Sequence, residues 1–452
     1  MVSIRRVLAQ IKDDWTTLLA EEHLTRICRD AGARWRERTL SPVVTIYVFL
    51  LQVLHGNTAM TNLPRLSGKR FTPAAYCQAR QRLPLAALRR LLYETGLPLQ
   101  ARDHDAGSAS GVSRWHGHRV WLTDGSSCSM PDTPVLQKRF GQPSGQQKGC
   151  GFPVAHLLVL FDAASGRLLD VLVSSWRIHD LTRVAELHPH LQSGDILVAD
   201  RGFCSYAHLA LLWRQGVFVV FRLHQKQLVD FRPHRSAAQP GREQGRPRST
   251  WLARCGHQDQ LVLWPRPQNV SRTMTPAQHA ALPEYVVVRE LRYRVTTPGF
   301  RTRQVTLATT LLDPQRYPAA DLAELYRQRW QVETNLRHLK QTLGLAVLKS
   351  ETVAGVEKEI LVFALLYNLV QSAMAAAAAR QGVARERISF VDALRHLRWP
   401  LAATAPPELW VNPLRPDRYE PRVRKRRPLE YPLMKQPRAA LRKALRKNND
   451  AA

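Results

Sequence analysis

Tyr326, Arg329, Glu333 and Lys340 lie together in the stretch DLAELYRQRWQVETNLRHLKQTLGL. An α-helix turns by roughly 100° per residue. Relative to Tyr326, Arg329 then falls near about −60°, Glu333 near about −20° and Lys340 near about −40°. All four side chains project within an arc of roughly 60° along about four turns of one helix. A carboxylate flanked by an arginine, a lysine and a phenol suits a partner that presents both a metal ion and phosphates. Leu325, Val332, Leu336, Leu339 and Leu343 cluster near about −110°, beside that polar stripe. Packed on a core, they would hold the charged stripe at the rim of a cleft. Ordinary solvated helix faces carry similar ion pairs, so the pattern needs support from elsewhere in the chain.

Two aspartates supply it. Asp124, inside WLTDGSS, reads as the end of a buried strand, with Gly125 permitting a sharp exit. Asp200, inside LVADRGF, reads as the end of another. Adjacent strand ends of an open sheet face one crevice, so neighbouring strands would bring the two carboxylates together. Such a pair repels unless a cation or proton neutralises it. With Glu333 it makes three hard oxygen donors, suited to Mg²⁺ or Mn²⁺ rather than Zn²⁺. Two ions about 4 Å apart could activate water or a 3′-hydroxyl and stabilise the departing oxygen of an in-line displacement. Arg329 and Lys340 would hold phosphates beside the scissile one, and Tyr326 could bond another. Singly, each Asp is also an ordinary turn residue. Agreement of three positions in topological order carries the reading.

The elements around these residues predict an α/β protein. Residues 1 to about 100 read as helical, and within them Thr72 caps a helix begun by Pro73, with Pro84 separating the next. That pair could form a basic helix–turn–helix-like module with Lys69, Arg70, Arg80 and Arg82 near DNA, or a plain packing unit. After the Gly/Ser/Asp-rich stretch from Ala101 come three strands, a helix, a strand, a helix and a strand, the order of a mixed sheet with flanking helices. A Pro/Gly/Arg-rich loop, Arg232–Thr250, interrupts the pattern. Alternation then resumes from Trp251 to Leu312 as antiparallel strands, a β-rich insertion ahead of the polar helix. Val43–Leu54 is too short to span a bilayer. Ile360–Ala379 carries Asn368 and Gln371 and reads as a buried core helix.

Charge narrows the partner. The 452 residues carry 66 Lys plus Arg against 36 Asp plus Glu, a net +30. That field attracts polyanions, nucleic acid foremost, and its spread along the chain argues against a membrane surface. Six scattered cysteines without a CxxC pair fit a reducing cytosol, and the N-terminus lacks the apolar stretch of a signal peptide. His116/His118 and His188/His190 lack further ligands at metal spacing. The densest basic run, Arg424, Lys425, Arg426 and Arg427, lies in a Pro-broken C-terminal segment that reads as an extended arm on a phosphate backbone.

The motifs TDGSS, VADRGF and Y-x₂-R-x₃-E-x₆-K resemble the DDE transposases of bacterial insertion sequences, in the insertion-sequence-four family. SGKRFTPAAYCQARQRLP and RPDRYEPRVRKRRPLEYPLM resemble that family's N-terminal and C-terminal regions. The resemblance implies a ribonuclease-H-like catalytic core with a β-strand insertion, divided here as an N-terminal helical, DNA-binding domain (1–105), core (112–225), insertion (226–312), core (313–400) and basic arm (401–452). It implies Asp124, Asp200 and Glu333 as the catalytic and metal-binding triad, with Tyr326, Arg329 and Lys340 completing the signature. It further implies Mg²⁺-dependent nicking at element ends, strand transfer into double-stranded target DNA, a homodimer on paired ends, and a bacterial, nucleoid-associated location. In related enzymes an aromatic of the insertion stacks on a flipped base. Trp251, Trp264 and Trp330 match no motif for that role, and each reads as a core tryptophan. Two other readings stand beside the transposase: a ribonuclease-H-like nuclease without strand transfer, and a domesticated DNA-binding protein without chemistry.

Overall fold

The structure, a computed structural model, describes residues 18–36, 38–97, 114–237, 247–270, 274–296, 304–398, 408–414 and 436–449. Its centre is one nine-stranded mixed sheet of order β3-β2-β1-β4-β5-β9-β8-β7-β6. The strands are β1 (Val120–Ser129), β2 (Val154–Asp162), β3 (Leu168–Ser175), β4 (Ile196–Ala199), β5 (Phe218–Arg222), β6 (Thr250–Gly256), β7 (Asp259–Pro265), β8 (Tyr285–Arg294) and β9 (Gln304–Thr309). Only β1–β4 and β4–β5 pair in parallel. The strands of the expected insertion extend this sheet, because β9 pairs directly with β5.

Alternation along the strands buries both faces. Leu122 and Cys128 of β1 face one apolar cluster, while Trp121 faces the other. The first cluster is covered by helices α1 (Glu21–Asp30), α2 (Pro42–Leu54), α4 (Leu85–Gly96) and α5 (Val353–Gln381), while α3 (Pro73–Arg82) packs Tyr76 with Val48 and Leu63 in a smaller cluster. The N-terminal helices therefore share their core with the sheet. On the other face lie α6 (Tyr206–Arg214) and a 3₁₀ segment, Val184–His190. The sequence DLTRVAELHPHL, expected as one helix, is a single α turn followed by this 3₁₀ segment, whose interior Pro189 lacks a donor for α-helical bonding.

Local chemistry sets the helix ends. The Thr72 hydroxyl accepts from Ala75 N–H at 3.2 Å, Pro73 opens α3, and Pro84 precedes α4, as the sequence predicts. Gly96 ends α4 where a Cβ would lie 2.6 Å from the Leu169 Cα, so only glycine lets this helix rest on β3.

Helix α5 is long and apolar enough to cross a membrane, yet 89% of its apolar window is buried inside the chain. Its polar residues have work there. Asn368 accepts from Leu168 N–H and donates to Leu168 C=O, both at 2.8 Å, which completes backbone bonding on the edge strand β3. Gln371 donates to the Tyr367 hydroxyl at 2.7 Å and accepts from Arg385 at 2.6 Å.

The polar helix departs from the single rod the sequence predicts. It is α7 (Ala319–Arg327), a tight turn at Gln328 and Arg329, α8 (Trp330–Arg337), then a π turn, His338–Thr342. The turn is overwound by i→i−3 bonds, Arg329 N–H to Tyr326 C=O at 3.1 Å and Val332 N–H to Arg329 C=O at 3.0 Å. The π turn is underwound, and the two distortions offset each other along a continuous right-handed path. Leu325, Val332, Leu336, Leu339 and Leu343 are all buried, as their spacing requires.

Candidate active site

Asp124 sits in mid-strand rather than at a strand end. β1 continues through Ser129 because β2 pairs with it the whole way, Asp124 opposite Val159. On its other side the parallel partner stops: Leu122 pairs with Val198, the last such pair. Two residues further along each strand come Asp124 and Asp200, level with one another where β1 and β4 part. Asp200 is extended and caps the short turn Arg201–Phe203, its carboxylate accepting from Arg201 N–H. The crevice expected between adjacent strand ends forms here, at the point where the order of the sheet reverses.

Gly125 also has another role than the expected exit from the sheet. It stays in the strand, and a Cβ on it would lie 2.1 Å from an Asp180 carboxylate oxygen. Asp180 is in turn 3.5 Å from His156 on β2. Sequence reasoning missed this carboxylate beneath the strand; a glycine following a strand aspartate was the only local signal. Gly125 N–H meanwhile donates to the Asp124 carboxylate at 2.8 Å.

The polar helix supplies the third side. Arg329 extends a guanidinium nitrogen to 3.0 Å from Glu333 and another to 3.6 Å from Asp124. Asp200 acts on both Asp124 and Arg329. Burial pushes the Asp124 carboxyl up to about 6; Gly125 N–H and Arg329 oppose the rise, and Asp200 and Glu333 add to it. Burial works against the Arg329 charge as well, but Tyr326, Glu333, Asp124 and Asp200 together hold it above the ordinary arginine value. Arg329 is 6% exposed and hydrogen-bonds Tyr326, and its Nε has no partner among the described residues. Tyr326 is buried, its phenol pushed up to about 12 by that burial. Lys340 is half-buried on the π turn, where its charge reaches Cys128 near the far end of β1.

Asp124, Asp200, Glu333, Arg329 and Tyr326 thus interact from three distant parts of the chain, while Lys340 lies further along β1, beside Cys128. Among the described residues, no three His, Cys, Asp or Glu side chains stand close enough to hold one ion. Between Asp124 and Glu333 lies a guanidinium instead. Two of the three carboxylates, Asp124 and Glu333, share this guanidinium, and Asp200 adds its charge; carboxylate oxygens are the donor type that a divalent ion such as Mg²⁺ takes.

The other candidates lie elsewhere. Trp264 is buried, its indole N–H on Glu290 at 2.9 Å, while Trp251 packs 4.4 Å from the His234 ring. Trp330 is not a core residue. It opens α8 at 45% exposure, with the Arg329 guanidinium 5.2 Å from its ring centre, on the side of the helix away from the leucine stripe. Arg70 and Arg82 are exposed, whereas Arg80 turns inward over the Phe49 ring at 3.8 Å. His116 pairs with Asp321 and His190 with Asp170, at 2.8 and 2.9 Å. Arg424, Lys425, Arg426 and Arg427 lie outside the described residues. Further on, the segment read as an extended arm contains a helix, α9 (Arg438–Asn449). Arg438 ties it to Asp132 at 3.1 Å and to the Phe152 ring at 4.0 Å.

A strongly basic α/β protein with an acidic crevice at the switch point of its sheet has the build of an enzyme that works on nucleic acid. Residues 115–369 match the family profile of the transposase DDE domain, more than half of the chain. The chain belongs to that family and is a DDE transposase. It is 25% identical over 381 residues to the transposase InsG for insertion sequence element IS4 of Escherichia coli (strain K12), a match covering 80% of this chain and 78% of that protein. Among solved structures, the piggyBac transposase synaptic complex with hairpin DNA overlaps 87% of this chain and 79% of its own, at 10% identity and a TM-score of 0.43, too loose an overlap to identify the fold. Enzymes of this family work with divalent metal ions.

Proposed function

We propose that this transposase cuts at the ends of its own insertion sequence and joins them to target DNA, using Asp124, Asp200 and Glu333 as metal-binding catalytic residues on a ribonuclease-H-like core. The observation that supports the reading is that Arg329 makes ion contacts to both Asp124 and Glu333, while Asp200 acts on Asp124 across the register where β1 and β4 part. Magnesium, as two ions, would be held by these carboxylates and would supply the polarisation of the scissile phosphate and the attacking oxygen. The chain's own residues do the rest. Lys340 and Tyr326 fix neighbouring phosphates, Arg329 neutralises charge beside the reacting group, and the +30 field draws DNA to an otherwise anionic crevice.

The remaining parts of the proposal follow from what transposition requires. Two ends must meet, so the working form is a homodimer on paired ends, acting on double-stranded DNA in the bacterial cytoplasm at the nucleoid. Residues 1–105 and 401–452 would serve as DNA-binding regions around the core, with Arg424, Lys425, Arg426 and Arg427 on the phosphate backbone. The test is a strand-transfer assay with purified protein and the DNA flanking its coding region. Joined product that needs Mg²⁺ and is lost in Asp124→Asn and Glu333→Gln is expected. Cleavage without joining would leave a nuclease, and unchanged function in both variants would leave a DNA-binding protein without chemistry.

A further inference from the structure

Arg329 is buried, spans two of the three carboxylates, and leaves its Nε without a partner. A structural ion pair so deeply buried ordinarily has all its donors used. This one has a long 3.6 Å limb to Asp124, a 3.0 Å limb to a half-exposed Glu333, a hydrogen bond to Tyr326, and an Nε with no partner among the described residues. Its backbone also lies in the tight turn between two helices, where a small change of winding re-aims the side chain.

The charges set a conflict. Three carboxylates and one guanidinium leave the crevice at a net two negative charges. Two divalent ions added to that set reverse it to two positive, with the guanidinium held against the metals. Arg329 can stay near its present place or the metals can load, but both together require further anions. DNA phosphates are the anions the enzyme meets, and guanidinium is well shaped to take one.

We infer that Arg329 is a stand-in cation that holds the carboxylates in the DNA-free enzyme and hands them to metal only when a DNA phosphate draws it away. Metal loading and DNA binding are thereby coupled, each favouring the other. A transposase built this way does not arm its catalytic ions until a strand is in place. The inference rests on the carboxylate reading proposed above.

The test measures Mn²⁺ binding to the full chain by the EPR signal of free Mn²⁺, with and without a duplex made from the DNA flanking its coding region. Metal bound by the duplex is subtracted using the same duplex without protein. In the wild type, DNA should tighten Mn²⁺ binding by at least about tenfold. Arg329→Gln should bind Mn²⁺ about tenfold more tightly than wild type without DNA, and its gain on adding DNA should shrink to under about threefold. Arg329→Lys keeps the charge and should keep the weak DNA-free binding, which guards against misreading an unfolded glutamine variant. Trp330 emission should report the same event, responding to Mn²⁺ in the wild type only when DNA is present. Glutamine at 329 that binds Mn²⁺ no better, or worse, without DNA would overturn the inference and make Arg329 a fixed support for Glu333. Retention of Mn²⁺ binding in both Asp124→Asn and Glu333→Gln would instead overturn the carboxylate reading itself.

Discussion

Two buried arginines of this protein do opposite things. Arg289, on β8, is fully buried and each of its three nitrogens has a partner: Nε is 2.8 Å from Asp259, Nη2 meets the other oxygen of that carboxylate, and Nη1 reaches the Tyr317 carbonyl at 2.7 Å. It locks the β7–β8 pair to the chain leading into α7. Arg329 is almost as buried but half-committed, between carboxylates that outnumber it, with an idle Nε. A guanidinium whose donors are all met holds a fold together. One with unmet donors among surplus carboxylates is poised to exchange partners, and that difference separates the sheet's extension from its crevice.

The largest expected effect falls on the crevice. Asp124→Asn, Asp200→Asn or Glu333→Gln should each lower strand transfer by on the order of 10³-fold, since each removes one oxygen donor to the ions. Melting temperatures should barely change, and a large loss of stability in any of them would make the crevice structural. Arg289→Ala should show the converse, a loss of about 3–5 kcal/mol by denaturant titration, because it strands the Asp259 charge in the interior. Replacing both partners with leucine should recover much of that loss. If Arg289→Ala and Arg329→Gln destabilise equally, the contrast between the two sites fails.

Acid should test the sheet's second face next. Burial pulls His188 down to about 4, and burial with the neighbouring His188 charge pulls His208 down to about 3; their rings stack 5.1 Å apart. Both folded values lie below the unfolded one, so the unfolded chain binds more protons as pH falls. Stability should be full above about pH 6.5 and fall below it, by on the order of 2–4 kcal/mol at pH 5. A denaturation midpoint that does not move between pH 7.5 and 5 would count against this burial. The smallest effect should come from Lys340→Ala, expected to slow strand transfer by about tenfold while DNA affinity changes by less than about threefold, many other phosphate contacts remaining. A loss of affinity as large as the loss of rate would move Lys340 out of the crevice and into general DNA binding.

Much of this arrangement was legible in the sequence, and the errors have physical causes. The Thr72–Pro73 start, the alternating strands after Trp251 and the leucine stripe of the polar helix depend on interactions within a few residues, which spacing records directly. The single-helix picture failed because overwinding at Gln328–Arg329 and the π turn at His338–Thr342 carry no glycine or proline to announce them. Asp124 was misplaced at a strand end because its neighbour's stopping point, not its own sequence, creates the open edge. Trp330 was assigned to the core by residue type, although its helical position, about 150° from the leucine stripe, leaves it on the surface.

By itself, then, the chain's order of residues determined the periodicities, the caps, the basic charge and the signature spacing, since each is written in side chains close together along it. Only the folded molecule decided that Gly125 makes room for Asp180, that Asn368 bonds the edge of β3, and that Arg329 stands between Asp124 and Glu333. Those contacts join residues distant in the chain, and whether a buried charge is satisfied depends on every group that surrounds it in space.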